Sequence, residues 1–345
     1  MKKMRVGILT GGGDCAGLNA AIKWVVYAAI DRDVQIRYKT MIEVIAIKEG
    51  WEGILMLDPE KGLKDERYVQ VLTDYVVRKI DRDGGTAIGT SRTNPFNVKG
   101  KDGKSSDESA TVVQNIKTLA LDALIAVGGE DTLGVANKLY QKYGVPVVGI
   151  PKTIDLDLPG TEYSLGFDSA VNNIKLLIDH ARTVAGSHRK TAVVEVMGRH
   201  SGFLAMAGGM VSSAHFILIP EYPFEISKLV SMINDRKKLK SRYTLVVVAE
   251  GAKEAAILAA DGQAQARLRV AQAEAQAIQV VAQAIGQAGN PAQYLIAQRY
   301  LESLTNIAAG AQKVVFLPFE ATGVMASLGG IRELLQASSG GPAAK

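Results

Sequence analysis

The stretch 4-MRVGILTGGGDCAGLNAAIKWVV-26 decides the fold. Met4 to Thr10 is a short run without polar alternation, the pattern of a strand buried on both faces. Glycines follow it, and a helix opens behind them. Bare backbone N–H groups at a helix N-terminus make a cradle for phosphate. Glycine turns between strand and helix also serve close packing, so this turn alone leaves both readings open.

The same pattern recurs outward along the chain. Apolar runs at 122-DALIAV-127, 145-VPVVGI-150, 192-AVVEVM-197, 215-HFILIP-220 and 244-TLVVVAE-250 read as further strands. Pro146 stands near the start of its run, where a strand tolerates it best. Between them lie segments of helical period such as 107-DESATVVQNIKTLA-120 and 168-DSAVNNIKLLIDHARTV-184. Strands alternating with helices predict a doubly wound α/β body, its parallel sheet covered on both faces. Ligand sites in such sheets lie at the carboxyl ends of the strands.

Composition fits a globular chain of two or three domains: 345 residues, 47% hydrophobic and 22% charged, with a net charge of +5. The positive excess is spread out, and its one short cluster, Arg236 to Lys240, reads as a solvated helix end rather than a nucleic-acid patch. A mild positive balance suits an anionic substrate. Cys15 is the single cysteine, which excludes an internal disulfide. The N-terminus has no apolar signal core, and no apolar run reaches the roughly 18 residues of a membrane helix. A cytoplasmic location is the expectation.

Chemistry gathers at four strand ends. Besides the first glycine turn, 84-GGTAIGTSRTNPF-96 places Arg92 in a Gly/Ser/Thr loop, where a guanidinium can grip phosphate through two donors or simply decorate a turn. In 128-GGEDTLGVA-136, Glu130 and Asp131 open a helix and suit its dipole. They equally suit Mg²⁺, which takes one or two carboxylates plus waters and phosphate oxygens. In 149-GIPKTIDLDLPGTEYSLGFD-168, a proline ends an apolar run and Lys152, Asp155 and Asp157 follow. Spacing by two puts both aspartates on one side of an extended loop. One carboxylate to hold a metal and one to accept a proton is the pair that phosphoryl transfer to an alcohol requires.

These motifs, with 187-SHRKTAVVEVMGRHSG-202 and 247-VVAEG-251, make residues 4 to about 250 resemble the 6-phosphofructokinases, on the diphosphate-dependent side. The resemblance implies a two-lobed doubly wound fold and phosphoryl transfer to the 1-hydroxyl of fructose 6-phosphate with Mg²⁺. It assigns Asp155 as general base and Thr153 as a positioning group, with Glu130 and Asp157 on the metal. Gly13, Arg92 and Thr132 would bind the donor. Met197, Gly198, Arg199 and Glu250 would contact the sugar phosphate, and Arg199 would also stabilise transition-state charge. Lys190 stands where the family carries an arginine that reaches a neighbouring subunit, which implies a homo-oligomer. Asp131 and Lys152 replace glycines common in ATP-using members. An acid at 131 repels a nucleotide's α-phosphate and a cation at 152 suits pyrophosphate, so pyrophosphate is the expected donor and ATP the alternative. Ala16, Glu130, Leu156 and Lys190 depart from the family pattern.

After Glu250 the chain changes character. The segment 251–289 is rich in Ala and Gln and predicts a long helix, with Gly262 a weak point of about 1 kcal/mol. A shorter helix (291–308), a strand (313–318) and a last helix (329–336) are expected beyond it, and a disordered end. Residues 252 to about 336 resemble the C-terminal region of stomatin-like (SPFH) proteins. The chain therefore divides into a phosphoryl-donor lobe (1–166), a sugar-phosphate lobe (167–250) and a stomatin-like helical tail (251–345). A catalytically impaired scaffold that assembles through that tail is the rival from another class.

Overall fold

The computed structural model describes residues 1–100 and 103–285. The opening run is strand β1 (Lys2–Gly11), and its glycine turn leads into α1 (Leu18–Ile30). The chain continues through α2 (Arg32–Tyr38), β2 (Thr40–Ile47), α3 (Gly50–Leu55), β3 (Val69–Leu72) and α4 (Asp74–Val77). Three two-residue strands, β4 (Thr90–Ser91), β5 (Val98–Lys99) and β6 (Ser105–Ser106), precede α5 (Ser109–Thr118). Then come β7 (Ala123–Gly128), α6 (Glu130–Tyr143), β8 (Val147–Thr153) and β9 (Leu165–Gly166). They complete a seven-stranded sheet in the order β3-β2-β1-β7-β8-β9, with β4 paired to the end of β1.

Ile8 and Leu9 explain why the sheet is covered on both sides. Neighbours in a strand point to opposite faces, and both are fully buried. Ile8 packs with Ile22 and Val26 of α1, while Leu9 packs with Ile54 of α3, Val112 of α5 and Leu139 of α6. α7 (Phe167–His188) leads to a second sheet of three parallel strands, β10 (Thr191–Val196), β11 (Phe216–Leu218) and β12 (Thr244–Ala249). Its order is β10-β12-β11, with α8 (Phe203–Val211) and α9 (Ile226–Lys238) in the crossovers. β12 is central and wholly buried, and Val247 packs with Ile178 of α7 and Ala205 of α8. Edge strand β10 is less covered: Val193 is 65% exposed.

All six strands expected within residues 4–250 are present, with ends displaced by no more than three residues. The run 40-TMIEVIAI-47, absent from the sequence expectation, is a strand beside β1, and β3 pairs with it antiparallel, so the large sheet is mixed rather than parallel. The segment between Asp155 and Asp157 is not extended: Leu156 has φ +52°, a left-handed turn that breaks the two-residue alternation. Asp155 is accordingly half-buried and Asp157 exposed.

The last described element is α10 (Glu250–Ile285), which makes Glu250 a helix-opening residue rather than a strand end. Residues Met1–Leu258 form one compact unit and Ala259–Lys345 a second. In the second, residues 259–280 are helical with every side chain exposed, and the helix runs through Gly262. The expected elements at 291–308, 313–318 and 329–336 lie outside the described residues. Among the described residues no helix is long and apolar enough to cross a membrane.

His215 ties the second sheet together and has a measurable consequence. The backbone N–H of Leu245 in β12 donates to His215 Nδ1 at 3.0 Å, which requires that nitrogen unprotonated. Burial, with Arg236 and Arg182 nearby, holds the imidazole pKa below its ordinary value. A depressed folded-state pKa means stability present above the unfolded value near 6.5 and lost as pH falls through and below it. Thermal midpoints measured from pH 7.5 to 5 should therefore fall, and His215→Gln should flatten that part of the profile. An unchanged slope in the variant removes His215 as the cause.

Candidate active site

Because β1, β7 and β8 run parallel, their carboxyl ends deliver three loops to one edge of the sheet. Between them lies a cleft of about 460 Å³. Gly13 lines it from the first turn, Arg92 from the segment after β4, and Glu130, Asp131 and Thr132 from the start of α6. Lys152 and Thr153 enter from the end of β8, and Met197 from the end of β10. The four loops named from sequence thus meet, together with part of the fifth motif.

Lys152 is the cleft's unusual group. It is only 5% exposed, and its ammonium donates to the carbonyl oxygen of Gly13 at 2.5 Å. Burial lowers its pKa and neighbouring Arg92 adds to that, while Cys15 and Asp14 oppose it. Gly12 takes φ +82°, and a Cβ there would stand 3.5 Å from Lys152 Nζ. Thr132 is buried against Gly11 and Gly128: a Cβ on Gly11 would lie 2.4 Å from its hydroxyl, so the turn needs glycine at that approach.

Beyond β8 the chain builds the carboxylate end. The N–H of Asp155 donates to Thr153 Oγ1 at 3.1 Å, and that hydroxyl donates to Asp157 Oδ1 at 3.3 Å. Asp155 Oδ1 is buried and has no hydrogen-bond partner among protein atoms. Burial raises the Asp155 pKa, the charges of Asp157 and Glu250 raise it further, and His200 opposes them. A half-buried carboxyl held above its ordinary range is suited to accept a proton.

The remaining expected residues are distributed around this centre. Asp157 lines a neighbouring hollow with His200, Ser201 and Glu221 rather than the main cleft. Gly198 has φ +126°, accepts at its carbonyl from the N–H of Gly251 (3.0 Å), and leaves no room for a Cβ against the Ser201 carbonyl. Arg199 is largely exposed and pairs loosely with Glu254 at 3.7 Å. Glu250 opens α10 close enough to act on Asp155. Lys190 is exposed between α7 and β10 and lines neither hollow. Glu130 is an exposed carboxylate of the main cleft and Asp157 an exposed carboxylate of the neighbouring hollow, and each is a hard oxygen donor of the kind Mg²⁺ takes.

Sequence reasoning passed over several lining residues. Asp14 and Cys15 face the cleft from inside the first glycine motif, and Thr93 and Asn94 from beside Arg92. His200 acts on Asp155 and Ser201 touches it. All lay inside quoted motifs, so position within the motif was the available signal.

The phosphofructokinase family model matches residues 5–307. A pyrophosphate–fructose 6-phosphate 1-phosphotransferase of Dictyoglomus thermophilum is 44% identical over 253 residues, covering 73% of this chain and 66% of that protein. An ATP-dependent 6-phosphofructokinase 3 of Streptomyces coelicolor is 40% identical over 253 residues, covering 73% of this chain and 67% of its own length. The chain spans about two thirds of the length of the curated relatives it matches. Among solved structures, Pichia pastoris phosphofructokinase in the T-state superposes with a TM-score of 0.60 at 30% identity, over 73% of this chain and 28% of that one. A pyrophosphate-dependent phosphofructokinase from Marinobacter aquaeolei gives 0.58 at 26%, over 72% and 61%. With the family model matching residues 5–307 and solved phosphofructokinases sharing the fold, this chain belongs to the phosphofructokinase family.

Proposed function

We propose that the chain transfers a phosphoryl group from pyrophosphate to the 1-hydroxyl of fructose 6-phosphate, giving fructose 1,6-bisphosphate and inorganic phosphate. The observation that carries the reading is Asp155: a buried, unpartnered carboxylate oxygen with a raised pKa, two residues past Thr153 of a cleft that also holds Arg92 and Lys152. Asp155 takes the proton from the hydroxyl as its oxygen attacks phosphorus. Thr153 keeps the loop in place through its two hydrogen bonds. Glu130 and Asp157 would hold Mg²⁺, which when bound would neutralise charge on the phosphoryl oxygens. Gly13, Arg92, Thr132 and Lys152 bind the donor, while Met197, Gly198, Arg199 and Glu250 take the sugar phosphate. Lys190 serves a neighbouring copy in a homo-oligomer.

Pyrophosphate is favoured over ATP by two residues of the cleft. Asp131 presents a negative charge at its rim, and Lys152 presents a buried cation at its floor. Relatives named for pyrophosphate reach 44% identity and those named for ATP 40%, so the second donor remains the rival reading. A coupled assay with fructose 6-phosphate, Mg²⁺ and each donor separates them. Turnover with pyrophosphate and none with ATP is expected, and the pair Asp131→Gly/Lys152→Gly should weaken pyrophosphate use and relieve the block on ATP. Turnover with ATP alone overturns the donor assignment, and turnover with neither overturns the reaction.

The division into a donor lobe (1–166), a sugar-phosphate lobe (167–250) and a tail (251–345) belongs to the same proposal. So does the stomatin-like character of 252–336, to which the comparisons above lend no support. A scaffold reading draws on the exposed apolar residues of α7 and β10, Leu176, Leu177, Val184 and Val193. Light scattering of the full chain tests it, since assembly without turnover is its signature.

A further inference from the structure

The segment from Gly198 to Phe203 touches three parts of the molecule at once. Its first residue accepts from the N–H of Gly251, at the start of α10 and next to Glu250. The N–H of Gly202 donates to Glu221 Oε1 at 2.7 Å, in the segment after β11. Between them, Ser201 is 5% exposed and its hydroxyl donates to the backbone carbonyl of Asp155 at 2.8 Å. The same oxygen accepts from the N–H of Phe203, at the opening of α8, at 3.4 Å. The hydroxyl's donor and acceptor capacities are both used, so it joins the first turn of α8 to a carbonyl 46 residues earlier in the chain.

Asp155 has little else to hold it. Its side-chain Oδ1 is unpartnered, and the next residue, Leu156, is in a left-handed conformation that a leucine adopts only under constraint. On one side the local hydrogen bond to Thr153 orients the N–H of Asp155. On the other, its carbonyl is held by Ser201 alone among the described side chains.

We propose that Ser201 is a positioning residue for the base: it fixes the backbone of Asp155 to the frame formed by α8, Glu221 and the start of α10. The proposal rests on the reaction proposed above, and it adds a physical link within it. Arg199, on the same segment, and Met197, just before it, are among the groups expected to meet the sugar phosphate. Seating the sugar against that segment therefore also seats the carboxylate that takes its proton. Removing the hydroxyl frees the carbonyl, relaxes Leu156, and lets Asp155 drift from the attack geometry, where a displacement of about 1 Å costs on the order of 10²-fold.

The test compares the native chain with Ser201→Ala and Ser201→Thr by amide hydrogen exchange and steady-state kinetics. In Ser201→Ala, amides of residues 154–158 should exchange at least about tenfold faster, the loss expected from one hydrogen bond, with β1 and β7 unchanged. kcat should fall by about tenfold or more, while KM for pyrophosphate stays within about twofold. Ser201→Thr, which keeps the hydroxyl, should restore most of both. Should the alanine variant lose protection throughout, Ser201→Cys keeps the volume with only a weak donor and is read in its place. Unchanged exchange at 154–158 overturns the proposal, as does faster exchange with an unchanged kcat. A native chain that shows the exchange difference against Ser201→Ala but turns over no sugar phosphate leaves the Ser201 link standing and overturns the reaction instead.

Discussion

Asp155→Asn is expected to lower kcat by roughly 10²-fold or more, the usual cost of losing a general base, with little change in the affinity for either substrate. The amide keeps the size and the backbone contacts of the aspartate, so the N–H to Thr153 and the carbonyl held by Ser201 survive. What disappears is the carboxylate's charge, and with it the ability of a buried, unpartnered oxygen to take a proton. The native pH profile carries a second sign of this role. Burial, the largest cause, raises the Asp155 pKa, and a base works only when deprotonated. The acid limb of kcat/KM should therefore lie above the ordinary carboxylate value near 3.9. Near-normal turnover in the asparagine variant removes Asp155 from the role.

Lys152→Met should raise the Kd for pyrophosphate by about 10- to 100-fold, as expected when a hydrogen bond to a charged group worth about 1.5–3 kcal/mol is lost. Fructose 6-phosphate binding should change less, because Gly198, Arg199 and Glu250, which would take the sugar phosphate, do not line the cleft that holds Lys152. The fold should tolerate the change. Methionine matches the stem of lysine, and burial already disfavours the ammonium. Calorimetric titration with pyrophosphate, alongside a thermal melt, reads both halves. An unaltered Kd in a folded variant would show that the buried cation serves only the Gly13 carbonyl.

Much of this site was legible in the sequence because its parts are local. A strand followed by glycines and a helix is written in consecutive residues, so the strand-end positions of Gly13, Glu130, Asp131 and Lys152 follow from the sequence. The pairing of β2 with β1 was not, since 40-TMIEVIAI-47 carries charge and polarity at its start and its place beside β1 is decided by contact. The extended path expected between Asp155 and Asp157 failed for a related reason. Leu156 has no local preference for φ +52°, and the residue before it is held from across the chain, where Ser201 donates to the carbonyl of Asp155.

By itself, then, the sequence determined the alternation of strand and helix, the strand ends that carry charge, and the membership of a family whose motifs run in order. Tertiary structure decided which carboxylate is buried and which is not. It also decided that Lys152 meets the Gly13 carbonyl across 139 positions and that Ser201 meets Asp155 across 46. Desolvation and long-range hydrogen bonds depend on what surrounds a group in space, and a linear order of residues does not state that.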